Sequence, residues 1–155
     1  MTSTSLQSLN SRRCNIAKTL YLIRGVPGSG KSTLAHKMAS ELKIDFFEAD
    51  MWMTDVDGVY KFDPTRLSFC HQKCQQAVCW QMMCGNNVIV SNTFIKKWES
   101  DIYYSLAKLW DYDVKVILCN GNYANVHGVP QERVNTMRSN LEPYENQTIY
   151  VGDTN

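Results

Sequence analysis

The chain lacks any apolar run near the roughly 18–20 residues that a membrane-spanning helix needs, so no such span is expected. It also lacks a charge bias. The 16 Lys and Arg stand against 15 Asp and Glu, a net charge of +1. No bulk field recruits nucleic acid or a membrane surface, and only a local basic groove could do so. No secretory signal opens the sequence. Its six cysteines, at 14, 70, 74, 79, 84 and 119, therefore read as reduced thiols of a cytoplasmic protein rather than a disulfide frame. Cys70, His71 and Cys74 have no second ligand pair at a workable distance, which favours small core thiols over a zinc site. Residues 1–18 contain no acid, are rich in Ser, Thr and Asn, and carry Arg12, Arg13 and Lys18. A disordered leader is expected there, with an organelle transit peptide as the alternative. No internal repeat is present, and 155 residues suit one domain with a modest core.

What the chain does have is Gly25-Val26-Pro27-Gly28-Ser29-Gly30-Lys31-Ser32-Thr33. The pattern is Gly, four residues, then Gly-Lys-Ser. A β-branched and aromatic run, Leu20-Tyr21-Leu22-Ile23, precedes it and a helical pattern follows. This is a phosphate-binding P-loop. Glycines let successive N–H groups curl around one anion, and the helix start adds its positive dipole end. Gly25, Pro27, Gly28, Ser29, Gly30, Lys31, Ser32 and Thr33 are the expected ATP-binding residues. Lys31 reaches the β- and γ-phosphates, and the Ser32 hydroxyl sits on Mg²⁺.

Strand and helix patterns alternate along the rest. Strands are expected over 19–23, 46–50, 88–91 and 114–119. Helices are expected over 31–42, with Leu34, Ala35, Met38 and Leu42 inward, and over 64–84, with His71 half-buried. A third is expected over 98–110, with Ile102, Leu106 and Leu109 inward, and a last over 130–141. The Val88–Ser91 run has no polar alternation and reads as buried on both faces. Residues 144–155 show no clear period and read as a tail, leaving 19–143 as the domain. The fold class is α/β: a parallel sheet of four to five strands with helices on both faces.

A P-loop specifies a nucleoside triphosphate, not a reaction. The core is too small for helicase or motor modules, and the guanine-reading Asn-Lys-x-Asp is missing. A small kinase or a nucleotide-binding module without chemistry remains. Phosphoryl transfer to a hydroxyl calls for a carboxylate near the acceptor, and Asp50 falls at a strand's carboxyl end. Asn92, at the end of the buried strand, could hold a Mg²⁺-bound water without contributing charge. Arg133 and Arg138 are candidates for the cation over the γ-phosphate, worth roughly 10³–10⁵ in rate. They lie about 140° apart around a helix, so only one can face the site closely.

These residues resemble the polynucleotide-kinase-like ATP-binding family, which includes phage polynucleotide kinase and the NEDD-four-binding protein two-like group. Besides the P-loop, the likeness rests on Glu48-Ala49-Asp50, on Gly58 to Pro64 with Leu67, His71 and Cys74, on Val90 to Thr93 with Trp98-Glu99, and on His127-Gly128-Val129-Pro130 with Val134 and Met137. It covers residues 19–143. The resemblance implies that Asp50 takes the proton from a 5′-hydroxyl, that Lys31 and Ser32 hold phosphate and Mg²⁺, and that ATP and a nucleic-acid 5′ end are the partners. Two departures stand out. Met53 occupies a position where the phage kinase has a substrate-holding arginine. The lid stretch Asn122-Tyr123-Ala124-Asn125 retains the asparagine of the family's Arg-Asn pair without its arginine. Three activities stay open on this reading: a polynucleotide 5′-kinase, a small-molecule kinase, and an ATP-binding interaction module derived from such a kinase.

Overall fold

The computed structural model describes residues 17–124 and 127–152. Residues 1–16 of the expected leader, and Asn125, lie outside the described residues. Five strands form one sheet: β1 (Thr19–Arg24), β2 (Asp45–Phe47), β3 (Val88–Ser91), β4 (Asp113–Cys119) and β5 (Gln147–Tyr150). All neighbours pair in parallel, in the order β2-β3-β1-β4-β5. Four helices connect or flank them: α1 (Lys31–Leu42), α2 (Leu67–Met83), α3 (Asp101–Trp110) and α4 (Gln131–Asn140).

The sheet divides the core by strand alternation. Leu20, Leu22, Val88 and Val90 point to one face, where Cys70, Cys74, Val78 and Met82 of α2 and Tyr103 and Ala107 of α3 cover them. Ile23 and Ile89 point to the other, against Leu34 and Ala35 of α1. β3 is buried along its whole length, as its unbroken apolar run requires. Cys70 and Cys74 are core residues, and burial pushes both thiols up, so they stay protonated.

Four expectations change. The second strand stops at Phe47, and Ala49–Trp52 is a 3₁₀ turn, so Asp50 stands just beyond the strand. His71 is exposed rather than half-buried, because Cys70 takes the inward position on α2. Ile102 and Leu109 face solvent while Tyr103 and Ala107 are buried. Residues 97–100 form a 3₁₀ turn before α3. At three residues per turn instead of 3.6, four residues advance the phase by roughly 80°, close to one helical position. Leu42, the last residue of α1, is likewise exposed.

The fourth change concerns residues 144–155, read as a tail. Residues 147–150 are β5, paired with Val116–Cys119. Arg24, the last residue of β1, fastens this segment. It is fully buried. Its guanidinium donates to the carbonyls of Phe94 (2.6 and 3.0 Å), Ile95 (3.2 Å) and Glu142 (2.6 Å), and to Gln147 Oε1 (3.1 Å). The Tyr144 ring lies 4.4 Å from it. Five hydrogen bonds to four acceptors, with an aromatic face, satisfy a buried cation that has no carboxylate partner in hydrogen-bond range among the described residues. No helix among the described residues is long and apolar enough to cross a membrane.

Candidate active site

The carboxyl ends of β1, β2 and β3 open onto a cavity of about 580 Å³. Its floor is the P-loop. Gly25, Gly28 and Gly30 take φ values of 151°, 79° and 97°, a region that L side chains avoid. Gly25 is also fixed by space: a Cβ there would lie 2.6 Å from the Cys119 carbonyl oxygen. Gly30 is the N-cap of α1, and no side chain caps that end. The first amides of the helix therefore point into the cavity without a side-chain acceptor. Ser29 Oγ is buried and has no hydrogen-bond partner among the described residues. A curled backbone, an uncapped helix start and an orphan hydroxyl form a cradle that fits an anionic phosphate group.

Lys31 folds back over this cradle, and its Nζ donates to the Val26 carbonyl at 3.0 Å. Burial lowers its pKa, against the upward pull of Cys119, Glu48 and Asp50. Burial also pushes the neighbouring Cys119 thiol up to about 11, so it remains neutral. Ser32 Oγ donates to Glu48 Oε1 at 2.8 Å. Glu48 thus puts a carboxylate beside the hydroxyl expected to meet Mg²⁺. Spacing alone gives this glutamate no role, since its contact with Ser32 joins two elements sixteen residues apart.

The opposite wall holds the residue expected to face an acceptor. Asp50 lines the cavity with its side chain 47% exposed, and its Oδ2 lies 3.5 Å from His127 Nε2. The His127 ring packs against Tyr60 at a centroid distance of 4.6 Å. Phe62, Leu67 and His71 continue this wall. Met53 is fully buried beneath it, so the position carries no group into solvent. Arg133 lines the cavity from α4, whereas Arg138 is turned to Asn120 Oδ1 at 3.3 Å. The helical separation read from the sequence thus leaves Arg133 facing the site.

Asn92 is engaged within the protein. Its Oδ1 accepts from the Ala49 N–H at 2.9 Å, and its Nδ2 lies 3.7 Å from Cys74 Sγ. It ties the end of β3 to the turn that carries Asp50. The neighbouring Ser91 is different: its Oγ is buried, lines the cavity and has no partner among the described residues. Asn92, the residue expected beside Mg²⁺, lines the same cavity. His127 and Tyr60 were visible only within motifs, because a loop and a turn 67 residues apart bring them together.

A family model described as an AAA domain matches residues 20–144. Human NEDD4-binding protein 2 is 25% identical over 154 residues, covering 90% of this chain and 8% of that protein, so the chain spans under a tenth of this relative's length. A sugar kinase from Janibacter sp. HTCC2649 superposes with a TM-score of 0.60 at 19% identity, over 88% of this chain and 86% of that one. A chain of the Pnkp1/Rnl/Hen1 RNA repair complex superposes at 0.57 with 17% identity, over 81% of this chain and 38% of that one. These two likenesses establish a P-loop kinase fold.

Proposed function

This chain belongs to the AAA-domain family of P-loop proteins, and from that premise we propose that it is an ATP-dependent phosphotransferase acting on a hydroxyl, the 5′-hydroxyl of a nucleic-acid end being favoured. One observation carries the reading: the phosphate cradle and Asp50 share a single cavity, which also takes in Arg133. Asp50 accepts the proton of the acceptor hydroxyl. The oxygen then bonds to the γ-phosphorus as the bond to the β–γ bridging oxygen breaks, releasing ADP. Lys31 holds the β- and γ-phosphates, and Arg133 offsets charge on the transferring group. Mg²⁺ bound with ATP supplies further charge neutralisation. Ser32 would hold it, with Glu48 next to that hydroxyl and the free Ser91 Oγ and Asn92 on the adjoining strand end.

The acceptor wall supports the substrate class. Tyr60, Phe62 and Leu67 present apolar and aromatic surface beside Asp50, which suits a stacked base better than a bare sugar rich in hydroxyls. The nucleic-acid repair assembly among the fold relatives is consistent with that class. A second reading, an ATP-binding module without transfer, is favoured by the absence of arginine from the lid stretch Asn122-Tyr123-Ala124-Asn125. Transfer from γ-labelled ATP to 5′-hydroxyl DNA, RNA, nucleosides and sugars separates the readings. The first expects label on an oligonucleotide 5′ end. Binding of ATP with no label on any acceptor supports the second.

A further inference from the structure

The lid loop carries an aromatic ring that the phosphate-transfer account leaves unused. Tyr123 follows β4 and lines the cavity, with 56% of its surface exposed. Exposed aromatics on loops are usually free to swing, but this one is splinted. Its N–H donates to the Gly28 carbonyl at 2.8 Å, and the Gly121 N–H donates to the Ser29 carbonyl at 3.0 Å. The lid is thus stitched along the P-loop itself. Tyr123 Oη reaches toward the Val151 carbonyl at 3.4 Å, beyond β5.

Three glycines make room for this ring. A Cβ on Gly30 would lie 3.2 Å from Tyr123 Cε2, and a Cβ on Gly121 or Gly152 would collide with the same side chain. Gly30 and Gly152 also have positive φ, but Gly121 does not. Its lack of a side chain answers to space, and the ring takes up much of that space. The result is a half-exposed aromatic ring, backed by glycines, at the rim of the phosphate cradle.

We propose that Tyr123 is the stacking platform for the base of the bound nucleotide. The inference rests on the ATP-binding reading above. A nucleoside triphosphate seated on the Gly28–Thr33 amides must lay its base along the rim of that cradle, and Tyr123 is the aromatic ring packed directly against the loop. Stacking on a phenol recognises the π-face rather than a hydrogen-bond pattern, so ATP and GTP bind alike and pyrimidine triphosphates bind less tightly.

The test is direct titration of the full chain with ATP, GTP and inorganic tripolyphosphate, each with Mg²⁺, using wild type, Tyr123→Phe and Tyr123→Ala. The expected result is a loss of ATP and GTP affinity on the order of tenfold to a hundredfold in Tyr123→Ala. Tripolyphosphate affinity stays unchanged, and Tyr123→Phe remains near wild type. Equal weakening of ATP and tripolyphosphate overturns the proposal, because the ring would then only brace the P-loop. So does a Tyr123→Ala variant that binds all three like wild type. Wild type binding tripolyphosphate as tightly as ATP overturns the platform while leaving the phosphate cradle intact. Wild type binding none of them overturns both.

Discussion

At the P-loop end of the cavity the candidate groups are set by backbone; at the proposed acceptor end, around Asp50, they are side chains on turns, loops and a helix surface. Gly25, Gly28 and Gly30 hold the cradle in conformations that other residues avoid, and Lys31 is half-buried against it. Arg24, one residue upstream, is locked by five hydrogen bonds to four acceptors. Across the cavity, Asp50 sits on a 3₁₀ turn and is nearly half exposed, His127 meets it from a loop, and Arg133 stands on an exposed helix surface. The contrast separates two tasks. Holding a triphosphate needs a preformed cradle. Transferring the phosphate needs groups that converge once an acceptor has entered and excluded water.

The sharpest way to break this division is Asp50→Asn. Transfer should fall roughly 10²–10⁴-fold, while ATP affinity stays within about twofold, as read by labelled transfer and calorimetric titration. A matching loss of binding would show that the two ends are one unit. Next is Arg133→Ala, expected to slow transfer by about 10³-fold, the lower end for such an arginine. Arg138→Ala, whose guanidinium faces Asn120, should leave the rate within about twofold under the same assay.

Arg24→Met probes the rigid end. It leaves buried carbonyls unsatisfied and should cost about 3 kcal/mol, lowering Tm by roughly 6–12 °C in a thermal melt. The smallest effect is one of pH. Burial lowers the folded-state pKa of Lys31 below 10.5. Between that lowered pKa and 10.5 the unfolded chain binds more protons than the folded one, so this group's contribution to stability rises with pH across the window. ATP needs the ammonium form. Its affinity should therefore weaken as pH climbs through the lowered pKa, before an ordinary lysine would titrate. Titrations at stepped pH values check this, and Lys31→Arg should flatten the profile.

The phosphate end was legible because its chemistry is local. Gly25 to Thr33 are consecutive, and the strand before and helix after follow from periodicity within a short window. The sheet was legible for the same reason: β1, β3 and β4 are apolar runs that declare themselves. Other features needed three dimensions. β5 is short and half polar, and its place depends on Arg24 reaching the Glu142–Gln147 segment from the far end of β1. The phase of α3 turned on a four-residue 3₁₀ segment that hydrophobic spacing alone does not reveal. Glu48, Tyr60 and His127 join the site through contacts between separate elements. Tyr123 could be named in the lid, but nothing in the sequence says that Gly121 makes room for its ring.

A single-turnover assay of enzyme-bound γ-labelled ATP mixed with a 5′-hydroxyl oligonucleotide, wild type against Asp50→Asn, separates phosphate transfer from binding alone. Label is expected to move to the oligonucleotide on wild type, and Asp50→Asn to hold the same amount of ATP without moving it. Wild type that holds ATP and labels no acceptor, or Asp50→Asn that transfers at the wild-type rate, would contradict that expectation.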